Sequence, residues 1–148
     1  MKISTKGRYG LRILMDLAIH QSEKPRLIRD IAKSQQISEK YISRLVIALR
    51  KAGMIRSVRG VNGGFHIAMK PEDITLLDVI EVMEGPVSIV DCVKSPKRCA
   101  MHENCAPREI WCKLNENIRD LMRQTTLADI LTTCEKQNAK DGVFDYCI

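Results

Sequence analysis

No cysteine occurs in the first 91 residues, no Cys-x-x-Cys pair occurs anywhere, and no apolar run approaches the length that spans a bilayer. The missing pair excludes a thioredoxin-like thiol oxidoreductase. There is no Gly-rich phosphate cradle after a strand and no nucleophile set beside a base, so an enzyme is not expected. The opening stretch, Met1-Lys2-Ile3-Ser4-Thr5-Lys6-Gly7-Arg8, lacks the apolar centre of a secretion signal. The expected location is therefore the cytoplasm, with no membrane partner. In that reducing compartment the six cysteines do not read as a disulfide framework, and clustered thiols lean towards metal binding or redox sensing.

Acidic residues are scarce in the first part of the chain. Residues 1–70 hold 15 Lys and Arg against 4 Asp and Glu, a net +11, whereas residues 71–148 hold 9 against 14, a net −5. The overall charge of +6 conceals this division. A basic half joined to an acidic one suits a nucleic-acid-binding unit coupled to something else. At 148 residues the chain fits one domain, or a small domain with an appended oligomerisation segment.

Leu11, Leu14, Met15, Leu17, Ala18 and Ile19 keep a helical period over about 5–20. Leu27, Ile28, Ile31 and Ala32 suggest a second, short helix, followed by a polar turn at Gln35-Gln36 and by Ser38 as the N-cap of a third helix over about 39–52. That third helix turns Ile42, Leu45, Val46 and Leu49 inward and exposes Lys40, Tyr41, Ser43, Arg44, Arg50 and Lys51. The period then changes to two short strands, 54–58 and 65–69, around the glycine-rich Arg59-Gly60-Val61-Asn62-Gly63-Gly64. A basic capped helix followed by a hairpin is the pattern of a winged helix-turn-helix. The third helix fits the major groove, and Arg59 at the hairpin tip fits the narrower minor groove of A·T-rich DNA.

Beyond the hairpin, Thr75 and Asp78 match a capping box at the start of an apolar helix that Gly85-Pro86 ends. The segment from Asp91 to Pro107 has no clear period and carries Cys92, Cys99 and Cys105. Soft thiolates at this density suit a metal ion or an iron–sulfur cluster. Zinc is the chemical rival, with His102 or Cys112 completing a tetrahedron, although the gaps of six and five residues exceed the usual knuckle. Cys112 also reads as a small buried apolar residue, and Cys134 and Cys147 as structural or incidental. From 108 to about 124, Ile110, Trp111, Leu114, Ile118, Leu121 and Met122 form a broad apolar side, suited to pairing with a second copy. Thr126 and Asp129 match a further capping box for a helix over 127–134, placed to pack across such a dimer, and the chain beyond 135 reads as a loose tail.

These motifs together resemble the IscR, NsrR and RirA family of bacterial winged-helix regulators that carry iron–sulfur clusters. The likeness rests on Lys6-Gly7-Arg8-Tyr9, Ile31-Ala32 through Ile37-Ser38, Tyr41-Ile42, Leu49-Arg50-Lys51-Ala52-Gly53, Val58-Arg59-Gly60, Gly63-Gly64-Phe65, the three loop cysteines and Trp111. The resemblance implies a homodimer on double-stranded promoter DNA. Tyr41, Ser43 and Arg44 would meet the major groove, Arg59 and Gly60 the minor groove, and Ser4 and Lys6 the phosphates, with Ser38 and Arg50 completing the DNA-facing set. Cys92, Cys99 and Cys105 would be the cluster ligands.

Two departures qualify the carry-over. Arg108 stands where IscR-like proteins place a histidine ligand of a two-iron cluster, and Ser43 stands where IscR has a glutamate involved in target choice. Three cysteines without that histidine resemble the NsrR and RirA pattern, which favours a 4Fe-4S over a 2Fe-2S cluster. The open iron would answer to oxygen or nitric oxide. The expectation is thus a mainly α protein with a small β wing. It divides into a winged helix-turn-helix head at 1–84, a cluster loop at 85–107, a dimerisation helix with a short packing helix at 108–134, and a tail at 135–148. The alternatives are a cluster-free regulator acting through a protein partner and a zinc-binding regulator.

Overall fold

The computed structural model describes residues 2–21, 24–60 and 63–141. Among them are seven α-helices and one antiparallel hairpin: α1 (Thr5–Ile19), α2 (Ile28–Gln35), α3 (Glu39–Lys51), β1 (Ile55–Val58), β2 (Gly64–Ile67), α4 (Leu76–Glu84), α5 (Asp91–Lys94), α6 (Ala106–Gln124) and α7 (Leu127–Asp141). Ser4 caps α1 by accepting the Lys6 N–H, and Ser38 caps α3 by accepting the Tyr41 N–H at 3.3 Å. The turn between α2 and α3 is made by Gln36 in the left-handed region at φ 52°, the end that a helix adopts when its last carbonyls must be satisfied. The turn from α2 into α3 thus follows from one left-handed glutamine and one serine cap.

The strands pair with Ile55 opposite Ile67 and Val58 opposite Gly64. Arg26, before α2, adds a third edge: its N–H donates to Phe65 O and its carbonyl accepts from Phe65 N, both at 2.9 Å. Gly64 permits this approach, since a Cβ there would lie 2.5 Å from Arg26 O. One core joins Ile13, Leu14 and Leu17 of α1, Ile31 of α2, Ile42 and Leu49 of α3, Ile55 of the wing, Val79 of α4 and Leu127 of α7. A smaller cluster of Leu77, Ile80, Val87 and Met122 seats α6 on α4.

The last helix adds a contact within the chain and corrects one expectation. α7 packs on its own head, with Leu127 and Cys134 buried and Leu127 N bonded to Ile74 O at 2.8 Å, because the Thr126–Asp129 box starts the helix against the turn before α4. The same helix extends through 135–141, where the sequence suggested a loose tail; residues 142–148, including Cys147, lie outside the described residues.

Candidate DNA interface and cysteine loop

The outer face of α3 presents Lys40, Arg44, Ile47, Arg50 and Lys51 to solvent. Ser43 is half-buried and donates its hydroxyl to Glu39 O at 2.8 Å, which leaves its oxygen lone pairs for an outside donor. Tyr41 is less free than expected. Its ring meets that of Tyr9 edge-on at 5.9 Å and 82°, and the Arg12 guanidinium covers Tyr9 at 5.2 Å, so Tyr41 fastens α3 to α1 as well as bordering the exposed face. Arg59 and Gly60 lie exposed at the wing tip, with Gly60 at φ 116°, a conformation that side chains resist, and Gly63 N donating back to Gly60 O at 2.9 Å. At the start of α1, Lys6 is exposed, while the Ser4 hydroxyl is engaged in the cap and the Ser4 N–H donates to Glu84 Oε1 at 2.8 Å. Ser4 is therefore a helix-fixing residue whose neighbour Lys6 is the cation available to a phosphate.

Beneath this face lies a polar network. Asp16, 1% exposed, accepts from Arg26 Nε at 2.9 Å and Gln35 Nε2 at 3.0 Å, and also from Ser34 Oγ. Arg12 donates to the Gln35 side chain at 3.1 Å and to its carbonyl at 2.6 Å. Since Arg26 also pairs with Phe65, the network ties α1, the end of α2 and the wing into one frame. A fully paired buried carboxylate of this kind fixes relative geometry, because losing the Arg26 arm strands its charge and losing the Gln35 arm leaves a buried amide donor without that acceptor.

The cysteines sit on successive short elements. Cys92 is on α5, Cys99 closes a 3-10 turn over Pro96–Arg98, Cys105 is the N-cap of α6 and Cys112 lies further along α6. All four are free, half-buried thiols. His102 is pinned by a 2.9 Å bond between Nδ1 and Cys99 O, and it joins Cys105, Arg108 and Cys112 around an open depression of about 420 Å³. Among the described residues no group of three His, Cys, Asp or Glu side chains is close enough to hold a metal ion, so Cys92, Cys99 and Cys105 are not brought together at one point. The donor chemistry nonetheless fits a thiolate-ligated cluster: the loop supplies three thiols, and Arg108 Nε is buried with no hydrogen-bond partner, an N–H donor of the kind that anionic sulfur accepts. The loop is anchored to α6 by Asn115, 4% exposed, whose Oδ1 accepts from Ile89 N at 3.0 Å.

A family model described as Rrf2, iron-dependent transcriptional regulator, matches residues 3–133. The chain belongs to the Rrf2 family. The HTH-type transcriptional regulator CymR of Bacillus subtilis is 40% identical over 130 residues, spanning 88% of this chain and 89% of that protein. The solved structure of that CymR, described as the global cysteine regulator of B. subtilis, superposes with a TM-score of 0.77 at 38% identity, covering 90% of this chain and 98% of the other. IscR of Aliivibrio salmonicida is 32% identical over 141 residues, 95% of this chain and 83% of that protein. The structure of T. potens IscR superposes with a TM-score of 0.74 at 36% identity, over 93% and 90% of the two chains.

As a member of the Rrf2 family the chain is a DNA-binding transcriptional regulator and not an enzyme, and its fold is the winged helix of that family. The resemblance to IscR, NsrR and RirA read from the motifs is a likeness within the Rrf2 family. Among the described residues no helix is long and apolar enough to cross a membrane. Sequence reasoning missed the Asp16 network and Ile47. A lone acid inside the apolar stripe of α1 was the available signal for the first, and an isoleucine on the basic side of α3 was the signal for the second.

Proposed function

We propose that this Rrf2-family regulator is a homodimer whose grip on double-stranded promoter DNA is set by an iron–sulfur cluster on Cys92, Cys99 and Cys105, with 4Fe-4S favoured over 2Fe-2S. Such a protein works in the cytoplasm, where the chromosome is. The observation that carries the reading is the position of these free thiols, in the one segment that joins the DNA-binding head to α6. When bound, the cluster supplies an iron open to oxygen or nitric oxide. Cys92 on α5 and Cys105 at the cap of α6 span the joint between those helices, so ligation through both would fix α5 against α6. α6 carries an apolar stripe of Ile110, Trp111, Leu114 and Leu121, exposed in a single copy and suited to a second. A change at the joint would then alter the spacing of two heads, each offering α3 with Ser43, Arg44 and Arg50 to the major groove and Arg59 to the minor groove.

A cluster-free regulator acting through a protein partner is the second reading. It is favoured by the separation of the thiols and by the 40% identity to CymR. Anaerobic purification with assay of iron and acid-labile sulfide separates the two, and zinc without sulfide would identify the third possibility. The cluster reading expects brown protein, and it expects holo and cluster-free forms to differ in affinity for a duplex enriched from a random pool, titrated at one fixed salt concentration. Intact thiols with neither iron nor sulfide, or equal affinities, would overturn it.

A further inference from the structure

We infer that Ile47 is a specificity-determining residue that reads the methyl group of a thymine in the major groove; this rests on α3 being the DNA-reading helix. Ile47 is 53% exposed, and it lies near the centre of the outward face of α3. At 100° per residue, Lys40, Arg44, Ile47 and Lys51 fall in one stripe, opposite the buried Ile42, Leu45, Val46 and Leu49. An isoleucine ringed by cations is the wrong residue for solvent and for phosphate. In the major groove, however, one base-edge feature is apolar, the C5-methyl of thymine, and it projects where the middle of an inserted helix passes. The flanking Arg44 and Lys51 place phosphate-seeking charge on either side, so the apolar branch is the part of the stripe that can discriminate between bases.

Ile47 packs in neither of the two buried clusters, and its truncation should leave the head folded. The test uses the full-length protein and duplex sites enriched from a random pool by the wild type. Each thymine of an enriched site is then replaced singly by deoxyuridine, which removes the methyl and preserves pairing. The expected result is one thymine in each half-site whose replacement weakens wild-type binding by roughly fourfold, the equilibrium equivalent of one methyl-sized apolar group taken out of water. Ile47→Ala, with unchanged circular dichroism, should bind the same sites more weakly and be indifferent to that replacement. If wild type and Ile47→Ala respond equally to uracil at every position, this inference alone falls. If the wild type enriches no sequence, the assignment of α3 as the reading helix falls, and this inference falls with it.

Discussion

Asp16 shows how much of the reading head depends on one side chain that never reaches DNA. Its carboxylate holds Arg26, Ser34 and Gln35, which belong respectively to the wing edge, to α2 and to the end of α2. Asp16→Ala should lower stability by about 2–4 kcal/mol, because it strands a partly buried guanidinium and the buried Gln35 amide at once, while the Ser34 hydroxyl keeps Ile31 O as an acceptor. Urea unfolding at neutral pH measures it, as a lower midpoint at unchanged slope. Arg59→Ala is expected to do the opposite: no change in unfolding, but weaker binding to A·T-containing duplexes and a salt dependence shallower by about one phosphate contact. Binding curves at several salt concentrations check both features. The difference between these residues also explains what could be read from sequence. Arg44, Arg50 and Arg59 were legible because helical period and hairpin position expose them whatever else the fold does. Tyr41 and Asp16 were not, since their surroundings come from Tyr9, Arg26 and Gln35 on other elements, and periodicity within one element carries no information about such meetings.

Local chemistry also decides where the elements begin. Thr75 and Asp78 form the expected capping box on α4, and Thr126 and Asp129 form the second: Thr126 N donates to Asp129 Oδ2 at 2.8 Å and Asp129 N to Thr126 Oγ1 at 3.2 Å. The backbone N–H of Thr126, and secondarily its hydroxyl, hold the Asp129 carboxyl below its ordinary value of 3.8. A carboxyl depressed in the folded state stabilises it fully above the unfolded value, and that contribution fades as pH falls from about 3.8 through the lower folded value. The first turn of α7 should therefore loosen in acid. A carbon-detected NMR titration should give a midpoint for Asp129 below 3.8, and Thr126→Ala, which keeps the backbone donor and removes the hydroxyl, should return it part of the way. Thr126→Ala should also cost about 1 kcal/mol in unfolding as a lost cap. The boxes were legible because four residues carry the whole motif. The reach of α7 and its packing on the head were not, because Leu127 is seated beside the bridge between Thr75 and Thr126, a contact between distant parts of the chain.

At the scale of the molecule the two sides of α6 differ in what covers them. Its inner side is committed: Met122 packs on Leu77, Ile80 and Val87, Asn115 holds the loop before α5, and Arg119 pairs with Glu81. Ile110, Leu114 and Leu121, at 53%, 42% and 67% exposed, remain outside with Trp111. The proposed two-fold contact would bury each of these twice, and a fully covered aliphatic or aromatic side chain contributes about 1.5–3 kcal/mol. Leu121→Asp should place two carboxylates in that seam and give a monomer by sedimentation, while the head, whose core excludes Leu121, keeps its fold by circular dichroism and loses only the stability that association adds. Trp111 is the chain's single tryptophan, so dilution of the wild type should shift its emission to the red as the seam opens, and the variant should show the red emission at every concentration. The consequence for DNA follows from linkage of two heads. A duplex with two half-sites should bind Leu121→Asp on the order of 100-fold more weakly, because the second contact is no longer intramolecular, whereas a duplex with one half-site should bind nearly unchanged. Equal losses on both duplexes would mean that the substitution damages the reading face itself, and an unaltered dimer would mean that the exposed stripe on α6 is not the seam.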